Sequence, residues 1–201
     1  MLPRRAFLAA LAALLALPAC TPGPQADFKG TDITGAEFGG SLALTDHHGR
    51  PRTLADFKGK LVVLFFGYTH CPDVCPTTLS DMAAALKRLT PEQAGRVQVL
   101  FVTVDPERDT AELLRDYVPY FHPDFLGLRG SPAETLATAK AFRIHYRKHI
   151  EPGATDYLID HTAGSYVLDT EGRLRLFQPF AQPPEDIAHD LAQLLGDPPP
   201  A

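Results

Sequence analysis

Two cysteines four positions apart, Cys71 and Cys75, are the residues of this sequence best placed to do chemistry. They follow an apolar run, residues 61–66, and precede an amphipathic run that starts at Thr77, so the pattern predicts a loop between a strand and a helix. A helix N-terminus lowers the pKa of a nearby thiol, and a spacing of four places two sulfurs on one helix face. The pair can therefore close a disulfide or bind a soft metal ion.

The cysteine pair alone leaves three interpretations open: a structural disulfide, a thiol redox catalyst and a metal site. A structural disulfide usually ties distant segments, because its stabilisation grows with the length of the closed loop, and these cysteines are close in sequence. Redox catalysts more often have two residues between their cysteines, commonly with a Trp before them, and this chain has no Trp.

A metal site on two thiolates needs a metal that accepts few ligands. Cu(I) prefers thiolates, and a single imidazole would complete a trigonal site. Two histidines are candidates for that place. His70 adjoins Cys71, but on a tight loop it is expected to point away from Cys75. His161 lies at the start of a strand that is expected to neighbour the loop with the two cysteines, residues 67–76, which is called the thiol loop.

The rest of the sequence predicts one α/β domain that could position such a loop. Residues 60–67 and 97–104 are continuous apolar runs, typical of central strands buried on both faces. Their alternation with helical patterns matches a thioredoxin-like fold, a mixed central sheet flanked by helices with an N-terminal hairpin and an inserted hairpin. Hairpins are predicted over 41–54, 144–159 and 165–177, and helices over 77–90, 110–121, 131–142 and 185–195.

Composition and charge indicate an acidic, globular domain. The chain is 45% apolar and 21% charged, and its formal net charge of −5 becomes −7 without the two N-terminal arginines, Arg4 and Arg5. No basic patch interrupts this balance, which argues against a nucleic-acid partner. His47 and His48 are interpreted as part of a polar turn, because neighbouring side chains on a turn point apart.

The N-terminus predicts export. In residues 1–19, two arginines precede an apolar run that is too short to span a bilayer, and the run ends in Leu17-Pro18-Ala19-Cys20. This ending resembles the lipobox of bacterial lipoproteins, so Cys20 is the predicted lipidated residue. Because Pro18 is unusual in that box, ordinary signal-peptidase cleavage is the alternative. Arg4-Arg5 with the residues after it also resembles a twin-arginine signal.

The domain boundaries follow from composition. Residues 20–35, rich in Pro, Gly and polar side chains, predict a flexible tether, residues 36–196 the folded domain, and residues 197–201 a frayed tail. The protein is therefore expected at the outer, periplasmic face of the bacterial cytoplasmic membrane, held there by a lipid anchor.

Three separated blocks of the sequence resemble one protein family. They are residues 66–76, which contain both cysteines, residues 104–110 (Val-Asp-Pro-Glu-Arg-Asp-Thr) and residues 160–162 (Asp-His-Thr). Together they are similar to the Sco/SenC/PrrC family of copper-binding assembly factors for cytochrome c oxidase. The likeness runs from about residue 36 to residue 195, and three blocks in the right order are more specific than the cysteine pair alone.

The resemblance implies a thioredoxin-like fold that binds one copper through Cys71, Cys75 and His161. It also implies delivery of that copper to the binuclear copper site of cytochrome c oxidase subunit II. Such a site suits Cu(I), and oxidation to Cu(II) favours a fourth, harder ligand, which Asp160 or Asp73 could supply or orient. The block that contains Asp105, Glu107, Arg108 and Asp109 has no assigned chemistry, since loop capping and a surface for a partner fit it equally well.

Two alternatives to copper delivery remain open. A dithiol on this fold could reduce the cysteines of the oxidase copper site as a thiol–disulfide oxidoreductase, with Cys71 and Cys75 as the redox pair. Copper-responsive signalling through a membrane partner is the other. The expected partners are the subunit II copper domain, a periplasmic copper donor or thiol reductase, and the membrane. A copper chaperone, which is not an enzyme, is favoured over the reductase.

Overall fold

The computed structural model describes residues 27–153 and 155–197. The predicted export signal, Cys20, the first part of the tether and residues 198–201 lie outside these described residues. Within them the chain forms ten strands and five α-helices, and none of these helices is long and apolar enough to span a membrane. The elements are β1 Thr31–Asp32, β2 Ala43–Asp46, β3 Pro51–Thr53, β4 Leu61–Gly67, α1 Val74–Arg88, α2 Pro91–Gly95, β5 Val97–Thr103, α3 Ala111–Phe121, β6 Leu126–Arg129, α4 Pro132–Ala141, β7 Tyr146–His149, β8 Leu158–His161, β9 Ser165–Leu168, β10 Leu174–Gln178 and α5 Pro184–Leu195.

Eight of the strands form one mixed sheet in the order β1-β10-β9-β4-β5-β6-β2-β3. The pairs β4–β5 and β5–β6 are parallel, and the other pairs are antiparallel. Every residue of β4 is buried, so both faces of the sheet must be covered there. This arrangement confirms the predicted α/β class with a mixed central sheet flanked by helices, and it confirms the N-terminal hairpin as β2–β3.

Most helix starts lie where capping residues predict them. The Thr110 hydroxyl accepts the Leu113 N–H at the start of α3, and Ser131 with Glu134 forms a capping box at the start of α4. Pro91, predicted to mark only the end of the first helix, also begins α2. The reason is a second capping box, in which the Thr90 hydroxyl accepts the Gln93 N–H at 3.2 Å.

Part of the segment assigned to the tether contacts the domain in the structure. Strand β1 pairs with the edge strand β10, and the N–H groups of Lys29 and Gly30 both donate to the Asp190 carboxylate at 2.8 Å. Asp190 is fully buried on α5. A buried carboxylate needs donors, and the backbone before β1 supplies them, which composition alone does not reveal.

The inserted hairpin is a separate two-stranded sheet, β7–β8, beside the main sheet. Its first strand pairs with its second from Tyr146 opposite His161 to His149 opposite Leu158. The hairpin predicted over residues 144–159 therefore extends to His161. The histidine expected near the thiol loop belongs to the hairpin itself, four residues before β9.

The turn after β2 is held by His47. The buried His47 ring accepts the Gly127 N–H at Nδ1 (3.0 Å), and the His47 N–H donates to the Gly127 carbonyl (2.9 Å). Contrary to the expectation from sequence, the rings of His47 and His48 converge, with their Nε2 atoms 3.0 Å apart. Because Nδ1 of His47 accepts a hydrogen bond, its Nε2 carries the proton and donates to His48, which leaves no lone pair for a metal.

His47 predicts a loss of stability in mild acid. Burial lowers the pKa of His47, and the neighbouring His48 lowers it further. The folded state therefore favours the neutral ring, and between the lowered pKa and the ordinary value near 6.5 the unfolded chain binds more protons. This contribution is complete above about pH 6.5 and disappears as the pH falls through that window.

The measurement is the melting temperature of wild type and His47→Asn between pH 7.5 and pH 5. The Asn amide oxygen can accept the Gly127 N–H but does not titrate, so wild type should lose more stability over this range than the variant. Parallel pH profiles for the two proteins would contradict the assignment.

Candidate metal centre

The two cysteines lie at the carboxyl end of β4. Cys71 is in the loop, where its N–H donates to the Tyr68 carbonyl at 3.3 Å, and Cys75 is the second residue of α1. Of the two cysteines, only Cys75 therefore enters the first helical turn. They still meet, because the Cys75 N–H donates to Cys71 Sγ at 3.4 Å. Cys75 is fully buried, whereas Cys71 is partly exposed.

His161 completes the cluster from the inserted hairpin. Its Nε2 lies 3.4 Å from Cys75 Sγ, and its Nδ1 lies 3.0 Å from the Thr162 carbonyl oxygen. A carbonyl only accepts, so Nδ1 carries the proton and the Nε2 lone pair faces the cysteines. The Phe65 and Tyr68 rings form T-shaped contacts with the imidazole, with centroids 6.0 Å away, which restrict the orientation of the imidazole ring.

The ligand atoms of Cys71, Cys75 and His161 all lie within 4.8 Å of one another. Among the described residues they form a potential metal-binding group of two sulfurs and one nitrogen without a carboxylate. Thiolate and imidazole ligands suit soft or borderline metals, and three ligands leave a bound ion open on one side. The structure thus brings together the three residues that the family resemblance implied.

The two thiols differ in acidity. The pKa of Cys71 is lowered to about 3, mainly by the hydrogen bond from the Cys75 thiol and further by the N–H groups of Asp73 and Cys75. The pKa of Cys75 is raised, because its proton is shared with the Cys71 sulfur and because the thiol is buried. Cys71 is therefore the more acidic and the more accessible of the two thiols.

The other residues suggested from sequence lie around this group. His70 is turned toward the Thr69 hydroxyl, with Nδ1 3.1 Å from Oγ1, and is not part of the three-residue cluster. The Asp160 carboxylate lies 3.3 Å from His149 Nδ1 and 3.4 Å from Arg147. Asp73 is exposed at the start of α1. Neither carboxylate belongs to the cluster.

An open cavity of about 290 Å³ gives access to the site. Its walls include Cys71 and His161, with Asp73, Asp160 and His149 around them. The buried Cys75 is not part of these walls. A small ligand or a thiol of another protein would therefore meet Cys71 and His161 first.

Asp109 positions the thiol loop, a role that the sequence did not reveal. Its fully buried carboxylate accepts the Thr69 N–H at 3.1 Å, the Thr69 hydroxyl at 2.6 Å and the Thr103 hydroxyl. Thr69 lies two residues before Cys71. The signal in the sequence was the Asp in the 104–110 block, but its partners lie on another strand and another loop.

Gly67→Ala is predicted to displace the buried sulfur. A Cβ at Gly67 would lie 2.8 Å from Cys75 Sγ and 2.9 Å from the Phe101 ring, closer than these atoms can approach. Overpacking of this kind costs about 1–3 kcal/mol. We expect Gly67→Ala to lower the free energy of unfolding by about 2 kcal/mol in chemical denaturation. Gly95→Ala, where nothing lies within 4 Å of the added atom, is the control. Equal stability of the two variants would contradict the close contact.

The fold and the site together define a class of protein: a thioredoxin-like domain whose strand-to-helix loop carries two cysteines that meet a histidine from an inserted hairpin. A family model described as SCO1/SenC matches residues 30–196. The chain belongs to this family, as the three sequence blocks implied.

Individual relatives support the assignment. The bovine protein named SCO2 homolog, mitochondrial, is 40% identical over 158 residues, which are 78% of this chain and 59% of that protein. The structure of Bradyrhizobium japonicum ScoI with copper bound has 39% identity and a TM-score of 0.71, covering 78% of this chain and 99% of that one. The structure of apo Sco1 from Thermus thermophilus has 42% identity and a TM-score of 0.75, and the match covers 86% of this chain and 99% of that one. This chain thus spans about three fifths of the length of the bovine relative.

Proposed function

We propose that the protein is a copper metallochaperone that binds one copper ion through Cys71, Cys75 and His161. The observation that carries the proposal is the convergence of two sulfurs and a free Nε2 lone pair within 4.8 Å. The bacterial relative whose structure is described with copper bound supports the choice of metal. Cu(I) is soft and accepts three ligands, so this donor set suits it better than a hard ion.

The same geometry suits release of the ion to a partner. Copper on three ligands stays coordinatively open toward the cavity, and a thiolate of an acceptor can bind before the first protein ligand leaves. His161 and Cys71 line that cavity, so they are the ligands that an acceptor would displace first. The acceptor we propose is the binuclear copper site of cytochrome c oxidase subunit II, as the family resemblance implies.

Copper titration of the purified, reduced protein under anaerobic conditions tests the proposal. Wild type should bind one copper per chain. His161→Ala should weaken binding by roughly 100-fold, because it removes a ligand itself and not only a residue that supports a ligand. His145→Ala, next to the same hairpin but outside the cluster, should bind like wild type. Substoichiometric binding by wild type, or unchanged affinity in His161→Ala, would remove the metal assignment. Transfer to a copper-free subunit II domain then tests the acceptor.

An oxidised, Cu(II) form would need a harder ligand. We propose that Asp160 orients the site in that state, because its carboxylate lies on the strand that carries His161 and faces the same cavity. Asp73 is the second candidate, since it lines the cavity beside Cys71. A change in the visible absorption of the Cu(II) protein in Asp160→Asn but not in Asp73→Asn would support the first assignment.

A second candidate function is favoured by the unequal thiols. An accessible Cys71 thiolate beside a buried Cys75 thiol suits disulfide exchange. Cys71 would attack the disulfide of a substrate to form a mixed disulfide, and Cys75 would then displace the reduced substrate. The protein would be left oxidised and need a thiol reductant. This function predicts turnover of an oxidised subunit II peptide by the copper-free protein, unchanged in His161→Ala and absent in Cys71→Ser.

We further propose that the protein is exported and anchored by a lipid on Cys20 at the periplasmic side of the bacterial cytoplasmic membrane. The lipobox-like residues 17–20 and the polar residues after them support this location. Fractionation of cells that express wild type and Cys20→Ser tests it. The variant should move from the membrane to the soluble periplasmic fraction, and retention in the membrane would contradict the lipid anchor.

A further inference from the structure

One loop of the protein contacts both halves of the cysteine–histidine site. This loop, residues 104–110, follows β5 and is called the 104–110 loop. On one side, Asp109 accepts hydrogen bonds from Thr69 in the thiol loop. On the other side, Asp105 and Arg108 contact Tyr157, the residue directly before β8. His161 ends β8, so this loop contacts both the strand that carries the histidine and the loop that carries the cysteines.

Tyr157 is held by three of its groups at once. Its hydroxyl donates to Asp105 Oδ1 at 2.8 Å, and its carbonyl accepts Arg108 Nη1 at 2.9 Å. Its ring lies under the Arg108 guanidinium, with 3.6 Å between the guanidinium carbon and the ring centroid. Arg108 Nε in turn donates to Asp105 Oδ2, which fixes the guanidinium. A planar guanidinium can make all these contacts together, whereas a lysine cannot.

The next residues of β8 are fixed from the thiol loop. The Ile159 N–H donates to the Tyr68 hydroxyl at 3.2 Å, and the Tyr68 ring packs on His161. The strand that carries His161 is therefore tied at residue 157 to the 104–110 loop and at residue 159 to the thiol loop. Lys148 on β7 adds an ion pair with Glu107 at 2.7 Å, but both of these side chains are exposed and contribute little.

Because the Asp105–Arg108 ion pair is buried, it is expected to contribute little to the free energy of unfolding. The Asp105 side chain is fully buried and the Arg108 side chain is 16% exposed. The free-energy cost of removing these charges from water offsets most of their attraction. The ion pair is therefore better explained by the structural arrangement that it holds in place. The arrangement fixed here is the position of the hairpin that carries His161.

We propose that Asp105 and Arg108 are positioning residues of the copper site: through Tyr157 they hold β8 so that His161 Nε2 stays within ligand distance of Cys75 Sγ. The inference rests on the proposed function for its copper readout. Besides Asp105 and Tyr157, the Arg108 guanidinium contacts the Asp156 carboxylate at 2.9 Å and lies 5.8 Å from the centroid of the Tyr68 ring, which packs on His161. None of these contacts is made to a ligand atom. The effect of the pair on copper should therefore pass through His161 and disappear when His161 is absent.

A double-mutant cycle between Arg108→Met and His161→Ala tests this dependence. Met keeps much of the length and apolar volume of Arg but cannot bind Asp105 or the Tyr157 carbonyl. Measured by competition with a Cu(I) chelator, Arg108→Met should weaken binding about tenfold in the wild-type background, as loss of a group supporting a ligand does. In the His161→Ala background it should change binding by less than about twofold.

The matched control is Arg173→Met. Arg173 also donates through Nε to a largely buried carboxylate, Asp169, at 2.9 Å, but it lies in the β9–β10 turn and not in the cavity beside the cysteines. Its loss should leave copper affinity within about twofold of wild type. If Arg108→Met and Arg173→Met weaken copper binding equally, the effect is a general one on the fold and the proposal is wrong.

A readout without copper separates this inference from the proposed function. In the copper-free protein, amide hydrogen exchange of residues 158–161 should be at least about fivefold faster in Arg108→Met, with the exchange of β4 unchanged. If Arg108→Met does not fold, Tyr157→Phe serves instead, since it keeps the ring and loses only the bond to Asp105. Unchanged exchange, or equal losses of affinity with and without His161, would overturn the inference. A wild type that binds no copper would overturn the function alone, and exchange would still decide the positioning role.

Discussion

Cys75→Ser is expected to abolish stoichiometric copper binding while the fold stays intact. A serine hydroxyl is a hard, protonated ligand, so the variant would offer Cu(I) one thiolate and one imidazole in place of three soft or borderline ligands. We expect affinity to fall by more than about 1,000-fold, beyond the 10–100-fold typical of groups that only support a ligand. Copper content by mass spectrometry and competition with a Cu(I) chelator measure the two quantities.

The fold should tolerate this change because the buried hydroxyl finds partners. Cys71 Sγ and His161 Nε2 both lie close to Cys75 and can accept the hydrogen of a hydroxyl there. A satisfied buried hydroxyl costs about 1 kcal/mol or less in the free energy of unfolding. Cys20→Ser, which leaves the three ligands unchanged, should bind copper like wild type. Retention of one copper within tenfold of the wild-type affinity in Cys75→Ser would contradict the site.

Cys71→Ser should abolish copper binding equally but differ in thiol chemistry. Cys71 is the accessible thiolate, with a pKa lowered to about 3, whereas Cys75 is buried and its pKa is raised. Each of these shifts depends on the other cysteine, so the contrast between the single variants rests on exposure. An alkylating reagent should modify the partly exposed Cys71 in Cys75→Ser faster than the fully buried Cys75 in Cys71→Ser. Equal loss of copper binding with unequal rates of alkylation would show that both cysteines are needed for the metal but that Cys71 is the more reactive thiol in disulfide exchange.

The sequence predicted the central elements because their signals are local. The apolar run at residues 60–67 predicted the buried strand β4, and Ser131 with Glu134 predicted the start of α4. Each signal is contained within a few consecutive residues. The sequence could not show that residues before β1 would bind a buried Asp190, since nothing local distinguishes them from a tether.

The site shows the same division between local and distant information. Cys71 and Cys75 were recognisable from their spacing, but His161 became the third residue only through the resemblance of three blocks. For the residues that position the site, the sequence offered loop capping as one of two interpretations of the 104–110 block but did not identify their partners. Thr69 meets Asp109 forty positions along the chain, and Arg108 meets Tyr157 forty-nine positions along. Their partners are fixed by how the sheet brings the 104–110 loop beside the thiol loop, which only the folded structure shows.

Asp109→Ala is expected to destabilise the protein more than Gly67→Ala or Cys75→Ser. The substitution removes the acceptor for the Thr69 N–H, the Thr69 hydroxyl and the Thr103 hydroxyl, and the carboxylate that it removes is fully buried. Buried donors left without partners cost about 1–3 kcal/mol each, although water entering the space offsets part of this. We expect the free energy of unfolding to fall by about 3 kcal/mol in urea denaturation.

Two variants separate the causes of this loss. Asp109→Asn keeps the shape of the side chain and one carbonyl oxygen as an acceptor. It should lower the free energy of unfolding by about 1 kcal/mol, because the hydrogen bonds are weakened but not all lost. Glu112→Ala removes a carboxylate from the first turn of α3 and should cost only about 0.5 kcal/mol. If Asp109→Ala were no more destabilising than Glu112→Ala, the Thr69 and Thr103 contacts would not hold the thiol loop.

The loss in Asp109→Ala should be larger when copper is bound. The variant should still bind one copper, because all three ligands remain, but more weakly, because part of the binding energy must order the loop that Thr69 no longer fixes. A ligand that binds only the folded state adds stability in proportion to the logarithm of its concentration over its dissociation constant. Weaker binding therefore gives the variant less added stability than wild type at the same free Cu(I) concentration. An equal loss with and without Cu(I) would mean that Asp109 acts on the fold alone, whereas a larger loss with Cu(I) would mean that it acts on the metal site through the loop.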